Sequence, residues 1–439
     1  MSNSLQDYLL LLDGGVLLRD ITAILVDYSN QTTLHKALAS LNKIRSRLHS
    51  VIVLQASDGF LNRMPDVDWH NRIQSLAIRN GDTGKTVRDT IRTIDSSFVL
   101  FLISPGYLAV QSANESLQLP PPKAILETSY DLEVRYPLLV RTSLLKKQPI
   151  PTSAQLPFKE ALFPSWLSGV KDDAKLLQED LVRQAKKNRS KNTLEKRKLI
   201  QKYQSEKTSV NHPSLSIMIA AYNMEAYIET AVMSCLLQNE QPEQILIMDD
   251  GSTDNTYQCI QRYHDDQRVK TFHKKNGGKA RALNELLPHV TSDFILELDA
   301  DDWLDADAVT VIKKYLSILP DDAALLYGNL RKWKQLNGDV LFKNLAKGNA
   351  IKGRKDLLSY RFPLGPRVYC TSTLKKEGGF PVIAFEDGRL FEDVSVLNRL
   401  IKKYPFQYKD FTVYNVREHK ESITKQNVAD WHQFLRSLE

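Results

Sequence analysis

Leu215-Ser216-Ile217-Met218-Ile219-Ala220-Ala221-Tyr222-Asn223 is an apolar run that stops abruptly on polar residues. A run this short and apolar reads as a buried strand, and helical spacing follows it through Ile228, Val232, Leu236 and Leu237. Two further runs have the same form: residues 245–248 end in Asp249-Asp250-Gly251-Ser252, and residues 294–298 end in Asp299-Ala300-Asp301-Asp302. Strands alternating with helices predict βαβ units and a mostly parallel sheet, an α/β fold. Ligands of such sheets bind beyond the carboxyl ends of the strands, where all three runs turn polar.

Asp299 and Asp301 stand one residue apart at a strand end, so both carboxylates can face one crevice. Hard oxygen ligands of this kind suit Mn²⁺ or Mg²⁺ bridging a diphosphate, although an acidic triplet alone is also an ordinary turn. Gly277-Gly278-Lys279 permits close backbone approach beside a cation, or is a turn opening a helix.

The first half repeats the plan. Ile21–Val26 ends in Asp27-Tyr28, residues 51–54 end in Gln55-Ala56, and Asn80-Gly81-Asp82-Thr83-Gly84-Lys85 precedes the apolar residues 98–102. Tyr28 pairs with Tyr222, Leu54 with Met248 and Lys85 with Lys279 at one offset of 194, and Phe98 with Phe294 after a slip of two. A constant offset over this distance predicts a duplicated domain; an unrelated α/β domain is the plainer alternative. Where the second half has Asp249-Asp250 and Asp299-Ala300-Asp301, the first has Gln55-Ala56 and Ile103-Ser104-Pro105, so that copy has lost its carboxylates.

With 439 residues, 42% of them apolar and 25% charged, the chain is expected to fold as two domains with separate cores. Its net charge of +7 is concentrated between Arg183 and Lys207, where ten Lys/Arg face two Glu. Such a stretch could rest on anionic lipid, acidic glycan or nucleic acid, but a solvated linker helix is the simpler reading, and nucleic acid is not expected as a partner. Three cysteines without paired spacing predict reduced thiols and a cytoplasmic protein. Apolar stretches around residues 8–18 and 97–110 are too broken to span a bilayer, so any membrane contact is expected to be peripheral, at the inner face of the plasma membrane. The expected boundaries are 1–170 for the degenerate domain, 171–212 for a basic helical linker and 213–439 for the catalytic domain; assembly into a homo-oligomer stays open.

In order and spacing, the run from Leu215 to Asn223, the segment Ile247-Met248-Asp249-Asp250-Gly251-Ser252-Thr253-Asp254, the segment Asn276-Gly277-Gly278-Lys279-Ala280-Arg281-Ala282-Leu283-Asn284 and the acidic triplet resemble the family 2 glycosyltransferases of the GT-A fold. The resemblance covers most of residues 213–424, and the duplication extends it to two Rossmann-like GT-A domains in tandem. It implies an inverting transfer of a sugar from a nucleotide-diphospho-sugar, UDP-sugars favoured, to a hydroxyl of a glycan or lipid-linked glycan in bacterial surface polysaccharide synthesis.

Residue by residue, the resemblance assigns Ala220 and Tyr222 to the nucleoside, with Tyr222 stacking on the base and Asp250 accepting a hydrogen bond from it. Lys279 would approach the diphosphate, Asp299 and Ala300 would line the ribose and metal side, and Asp301 would bind Mn²⁺ or Mg²⁺ directly. His419, within Val416-Arg417-Glu418-His419-Lys420-Glu421-Ser422-Ile423-Thr424, matches a further metal ligand. Gly378-Gly379-Phe380 matches the acceptor-side loop, and Asp393 in Phe391-Glu392-Asp393-Val394 matches the general base. Phe385-Glu386-Asp387-Gly388 repeats that tripeptide, but only Asp393 is followed by apolar residues at helical spacing, Val394, Leu397, Leu400 and Ile401. Relatives often carry Thr or Pro where Ala220 and Ala221 stand. Two other classes compete: a non-catalytic sugar-nucleotide or glycan binding module, which would be expected to lack the carboxylates, and a nucleotidyltransferase, which would open with a glycine-rich loop where Ala220-Ala221-Tyr222-Asn223 stands.

Overall fold

A computed structural model describes residues 19–56, 69–109, 116–130, 133–184, 190–205, 213–359, 364–388, 391–419 and 433–434. The apolar stretch around residues 8–18, residues 185–189 and 206–212 of the expected linker, and residues 420–424 of the last motif lie outside the described residues. The chain forms two compact units, one from Met1–Thr152 with Trp166–Asn188, the other from Ser153–Ser165 with Arg189–Glu439.

The first unit is built on a seven-stranded sheet. Its strands are β1 (Ile21–Val26), β2 (Leu48–Gln55), β3 (Ile73–Ala77), β4 (Phe98–Ile103), β6 (Ile125–Ser129), β7 (Arg135–Arg141) and β8 (Lys175–Leu177), in the order β3-β2-β1-β4-β7-β6-β8. β5 (Gly106–Leu108) pairs with β9 (Val182–Gln184) in a separate ribbon. β1 is buried along its whole length, which is why its sequence is apolar apart from Thr22 and does not alternate.

The second unit orders its strands β12-β11-β10-β13-β17-β15-β18-β14, with β16 on β15. These are β10 (Leu215–Ala221), β11 (Gln244–Asp249), β12 (Val269–His273), β13 (Phe294–Glu297), β14 (Trp303–Leu304), β15 (Leu325–Leu336), β16 (Asp339–Ala346), β17 (Arg367–Cys370) and β18 (Phe406–Glu418). The period of two divides β10 between two cores. Leu215, Ile217, Ile219 and Ala221 pack with the helix Ile228–Leu236 on one face; Met218 packs with the helix Lys279–Leu286 on the other.

The seven strands of the first sheet have counterparts in order and direction in the second, which adds β14 and β16. In each, four parallel strands are followed by an antiparallel strand, a second antiparallel strand, and then one parallel to its neighbour. Val51 corresponds to Ile245, an offset of 194, and Ile73 to Val269, an offset of 196. The slip of two therefore falls before β3, not after Lys85. Thr83, which opens its helix, corresponds to Lys279, which opens the matching one, and the expected Lys85–Lys279 pairing is displaced by two residues.

The segment 171–212 is not one helical connector. β8 completes the first sheet and β9 pairs with β5, while the helix Lys191–Lys202 belongs to the second unit. That helix is docked, not solvated: Lys196 reaches Asp339 (2.6 Å) and Glu160 (3.0 Å), and Lys202 reaches Asp305 (2.7 Å) and Asp307 (3.0 Å). Charge density in the sequence gave no sign that two of these lysines face inward. Among the described residues no helix is long and apolar enough to cross a membrane.

Candidate active site

The polar ends of β10, β11 and β13 lie side by side because these strands are adjacent and parallel. At the end of β10, Ala220 is half-buried and Tyr222 is 46% exposed, free to present its ring to a ligand. Asn223 takes a left-handed φ of 54°, and its side chain accepts hydrogen bonds from Thr253 N (2.8 Å) and Thr253 Oγ1 (3.2 Å), tying the first motif to the second.

The two aspartates at the end of β11 have different partners. Asp250 accepts from Gly277 N (2.9 Å), Gly278 N (2.7 Å) and Lys274 Nζ (3.1 Å), so both oxygens fix the loop ahead of the helix Lys279–Leu286. Asp250 is thus occupied by its own backbone. Its neighbour Asp249 is fully buried; one oxygen meets His273 Nδ1 at 2.7 Å, and Oδ1 has no partner among the described residues. Asp249 is the carboxylate here with spare accepting capacity, and only its adjacency to Asp250 hints at this in the sequence. Gly251 is required at φ 73°, since a Cβ would lie 2.5 Å from Asn276 N.

Lys279 is not a free cation. Its ammonium lies 2.9 Å from Glu297 and 3.0 Å from Glu392, and closer still to Asp299. Burial works against the charge on Lys279, but these three carboxylates outweigh it and hold the proton well above the usual lysine range. Across the same cluster, Arg367 on β17 grips Glu297 through two hydrogen bonds of 2.9 Å, and reaches Asp299 at 3.5 Å and Asp393 at 3.6 Å. Two cations thus hold four carboxylates, Glu297, Asp299, Glu392 and Asp393. Burial alone would raise Asp299; Lys279 and Arg367 reverse this and hold it well below the usual carboxylate range. Glu297 and Arg367 were not singled out from sequence: Glu297 sits inside an apolar run, where its charge was a usable signal, and Arg367 opens a strand that the sequence pattern did not mark.

Beyond β13, Ala300 is buried, and Asp301 Oδ2 lies 2.9 Å from His419 Nε2, on a ring packed 4.8 Å from Tyr227. The next carboxylate, Asp302, accepts from Arg417 N (2.7 Å); burial, with Asp301 and Asp299 nearby, raises its pKa well above the usual range. Among the described residues no group of three or more His, Cys, Asp or Glu forms a metal cage. Asp301 and His419 do converge as one hard oxygen and one imidazole nitrogen, a pair that suits Mn²⁺ or Mg²⁺ when phosphate oxygens complete the shell.

Of the two Phe-Glu-Asp tripeptides, the structure brings Asp393 to the carboxylate cluster. Asp393 lies in the first turn of the helix Glu392–Leu400, whereas Asp387 is exposed and paired with Arg281 at 2.8 Å. The acceptor-side motif is clipped to the third motif: Asn284 donates to Phe380 O (2.7 Å) and accepts from Phe380 N (2.8 Å). Gly379, at φ 71°, leaves room for that clip, since a Cβ would stand 2.3 Å from Asn284 Oδ1.

Residues 216–338 match the model of glycosyl transferase family 2. An uncharacterized glycosyltransferase of Haemophilus influenzae is 31% identical over 169 residues, which cover 35% of this chain and 68% of that protein. The chondroitin synthase of Pasteurella multocida is 41% identical over 106 residues, 24% of this chain but only 11% of the synthase. Among solved structures, S. aureus TarS 1–349 in complex with UDP aligns with a TM-score of 0.38 at 20% identity, over 51% of this chain and 64% of that one. A mannosyltransferase of Pyrobaculum calidifontis in complex with GDP-Man and Mn²⁺ aligns with a TM-score of 0.36 at 15% identity, over 56% of this chain and 70% of that one. With its motifs at the ends of β10, β11 and β13 and a relative matched over two thirds of its length, the chain belongs to glycosyl transferase family 2.

Proposed function

We propose that the second unit is an inverting, metal-dependent glycosyltransferase acting on a UDP-sugar, with Asp393 as general base. The observation that carries this reading is the placement of Asp393 and Asp299 on one guanidinium, that of Arg367, at 3.6 and 3.5 Å. The base is thereby anchored next to the donor-side carboxylate. The acceptor hydroxyl would form the new C–O bond at the anomeric carbon and lose its proton to Asp393, while the bond to the diphosphate breaks on the opposite face. Asp301 and His419 would hold Mn²⁺ or Mg²⁺, which neutralises charge on the leaving diphosphate. Tyr222 would stack on the base, and a carboxylate at the end of β11 would accept the ring N–H of uracil; spare accepting capacity favours Asp249 over Asp250. Chondroitin synthase and hyaluronan synthase among the relatives support a polysaccharide or glycoconjugate acceptor.

For the first unit the proposal is a degenerate copy of the same domain that shapes the acceptor site, mediates assembly or docks a partner. Two features support it: the seven corresponding strands and a matching buried cluster of polar side chains. Ser96 Oγ donates to Thr22 Oγ1 at 2.8 Å and Thr22 meets Ser50; Ser292 Oγ donates to Ser216 Oγ at 2.7 Å and Ser216 meets Gln244. Its strand ends are filled by its own rings: Tyr28 is buried with its hydroxyl on Gly106 O, and the Tyr130 hydroxyl accepts from Ile103 N.

The test is release of nucleoside diphosphate from a panel of sugar nucleotides with Mn²⁺ and candidate acceptors. Wild type and Asp387→Asn should turn over alike, and Asp393→Asn should lose roughly a hundredfold or more. Wild type no faster than Asp393→Asn on every donor would defeat the proposal and favour a binding module.

A further inference from the structure

Phe434, near the end of the chain, is completely buried. Its ring stacks on Phe391 (centroids 4.6 Å apart, planes 30° apart) and meets Phe385 edge-on at 5.8 Å. Phe391 directly precedes Glu392 and Asp393, and its φ of 58° is a left-handed conformation that a bulky aromatic residue rarely adopts unless its surroundings impose it. Phe391 also caps the helix that carries the base: its carbonyl accepts from Ser395 N (2.9 Å) and Ser395 Oγ (2.8 Å). Four residues upstream in the chain, Asp387 is pinned by Arg281, which donates to its O and Oδ1, both at 2.8 Å.

We infer that Phe434 is a positioning residue for the transfer reaction: by filling the space against Phe391 it holds that residue in its left-handed conformation and thereby fixes the first turn of the helix bearing Asp393. The physical chain is short. Without the stacked ring, Phe391 loses its closest ring contact, with Phe385 left at 6.1 Å between centroids, and relaxes toward the common regions of φ/ψ space. Relaxation swings its carbonyl off Ser395, and the first turn, which holds Glu392 against Lys279 and Asp393 against Arg367, loses its cap. A displacement of the base by about 1 Å is enough to cost on the order of a hundredfold in rate. The family match ends at residue 338, so nothing in it assigns a role to this C-terminal ring. The inference rests on Asp393 being the base.

The experiment compares full-length wild type, Phe434→Ala, Phe434→Leu and Asp393→Asn. Hydrogen exchange is followed by mass spectrometry, UDP affinity with Mn²⁺ by calorimetry, and transfer with the donor found active in the panel. Phe434→Ala should exchange roughly tenfold faster in peptides covering 391–400, with those of β10 and β13 unchanged. It should transfer roughly ten- to a hundredfold more slowly through kcat, while UDP affinity holds. Phe434→Leu, which keeps apolar volume, should recover most of both losses. Unchanged transfer in Phe434→Ala overturns the inference, and so does slower transfer without faster exchange at 391–400. Asp393→Asn at the wild-type rate would instead defeat the base assignment, whatever Phe434→Ala does.

Discussion

Arg367 Nη1 stands 3.6 Å from Asp393 Oδ2 while the rest of the same guanidinium is locked on Glu297 by two hydrogen bonds of 2.9 Å. The loosest contact of this cation is the one to Asp393, which leaves the proposed base able to turn toward a hydroxyl without dissolving the pair beneath it. Removing one member of a buried pair strands the other charge. Arg367→Met should therefore lower the unfolding free energy by roughly 3–5 kcal/mol. Arg367→Lys, keeping charge but not the planar fork, should fold better and still transfer slowly. Urea unfolding and product formation check both; a fully stable, active Arg367→Met would show the pair to be dispensable.

Asp249 and Asp250 should separate cleanly. Asp249→Asn is expected to weaken UDP binding by roughly ten- to a hundredfold, the worth of about 1.5–3 kcal/mol for a charged hydrogen bond, with little change in thermal stability. Asp250→Asn should instead lower the melting temperature, because the loop from Lys274 to Gly278 loses its carboxylate acceptor. Calorimetry with UDP and thermal unfolding decide it, and the opposite pattern would return the base contact to Asp250.

Chelation with EDTA should stop transfer and added Mn²⁺ should restore it. His419→Ala is expected to raise the Mn²⁺ concentration for half-maximal transfer by about tenfold or more, since Asp301 loses its converging partner. Transfer insensitive to EDTA would leave Asp301 and His419 as an ordinary hydrogen-bonded pair.

The docked helix makes an acid-sensitivity prediction. Burial raises Asp305, but Arg331 and Lys202 outweigh it and leave the carboxyl below its unfolded value. A depressed carboxyl stabilises the fold above its unfolded pKa, and that stability is lost as pH falls through the folded value. Denaturant midpoints should thus hold from neutrality down to about pH 4 and fall below it. Lys202→Met should flatten the dependence; an unaltered pH profile would mean that Lys202 contributes nothing to Asp305.

The strand ends were legible because each is an apolar run closed by polar residues, and adjacency in a parallel sheet then forces those ends together. Asp301, His419 and Asp393 were reachable only through the resemblance of their motifs to the family; the fold brings Asp301 and His419 to 2.9 Å and sets Asp393 beside Arg367. The division between Asp249 and Asp250 could not, since it depends on which neighbour takes the amides of Gly277 and Gly278. Nor could the partners of Lys279: Glu297 and Glu392 are far apart in the chain and meet only when β13 and the helix Glu392–Leu400 are in place. The basic stretch misled for a related reason, because charge composition does not report that β8 completes a sheet whose other strands lie upstream, or that Lys196 and Lys202 have carboxylates waiting for them.

Residues 153–165 belong to the second unit although the first resumes after them. Ala154 O accepts from Thr230 Oγ1 (2.8 Å), Gln155 Nε2 donates to Tyr263 (3.2 Å), and Glu160 holds Lys196. The polypeptide therefore crosses between its units three times, and no single scission frees one from the other. A fragment starting at Pro213 forfeits both the helix Lys191–Lys202 and this inserted stretch, and leaves Asp305 without Lys202. Genetic exchange that swapped one unit for a homologue would have to respect three separate seams, which ties the inheritance of the first unit to that of the second.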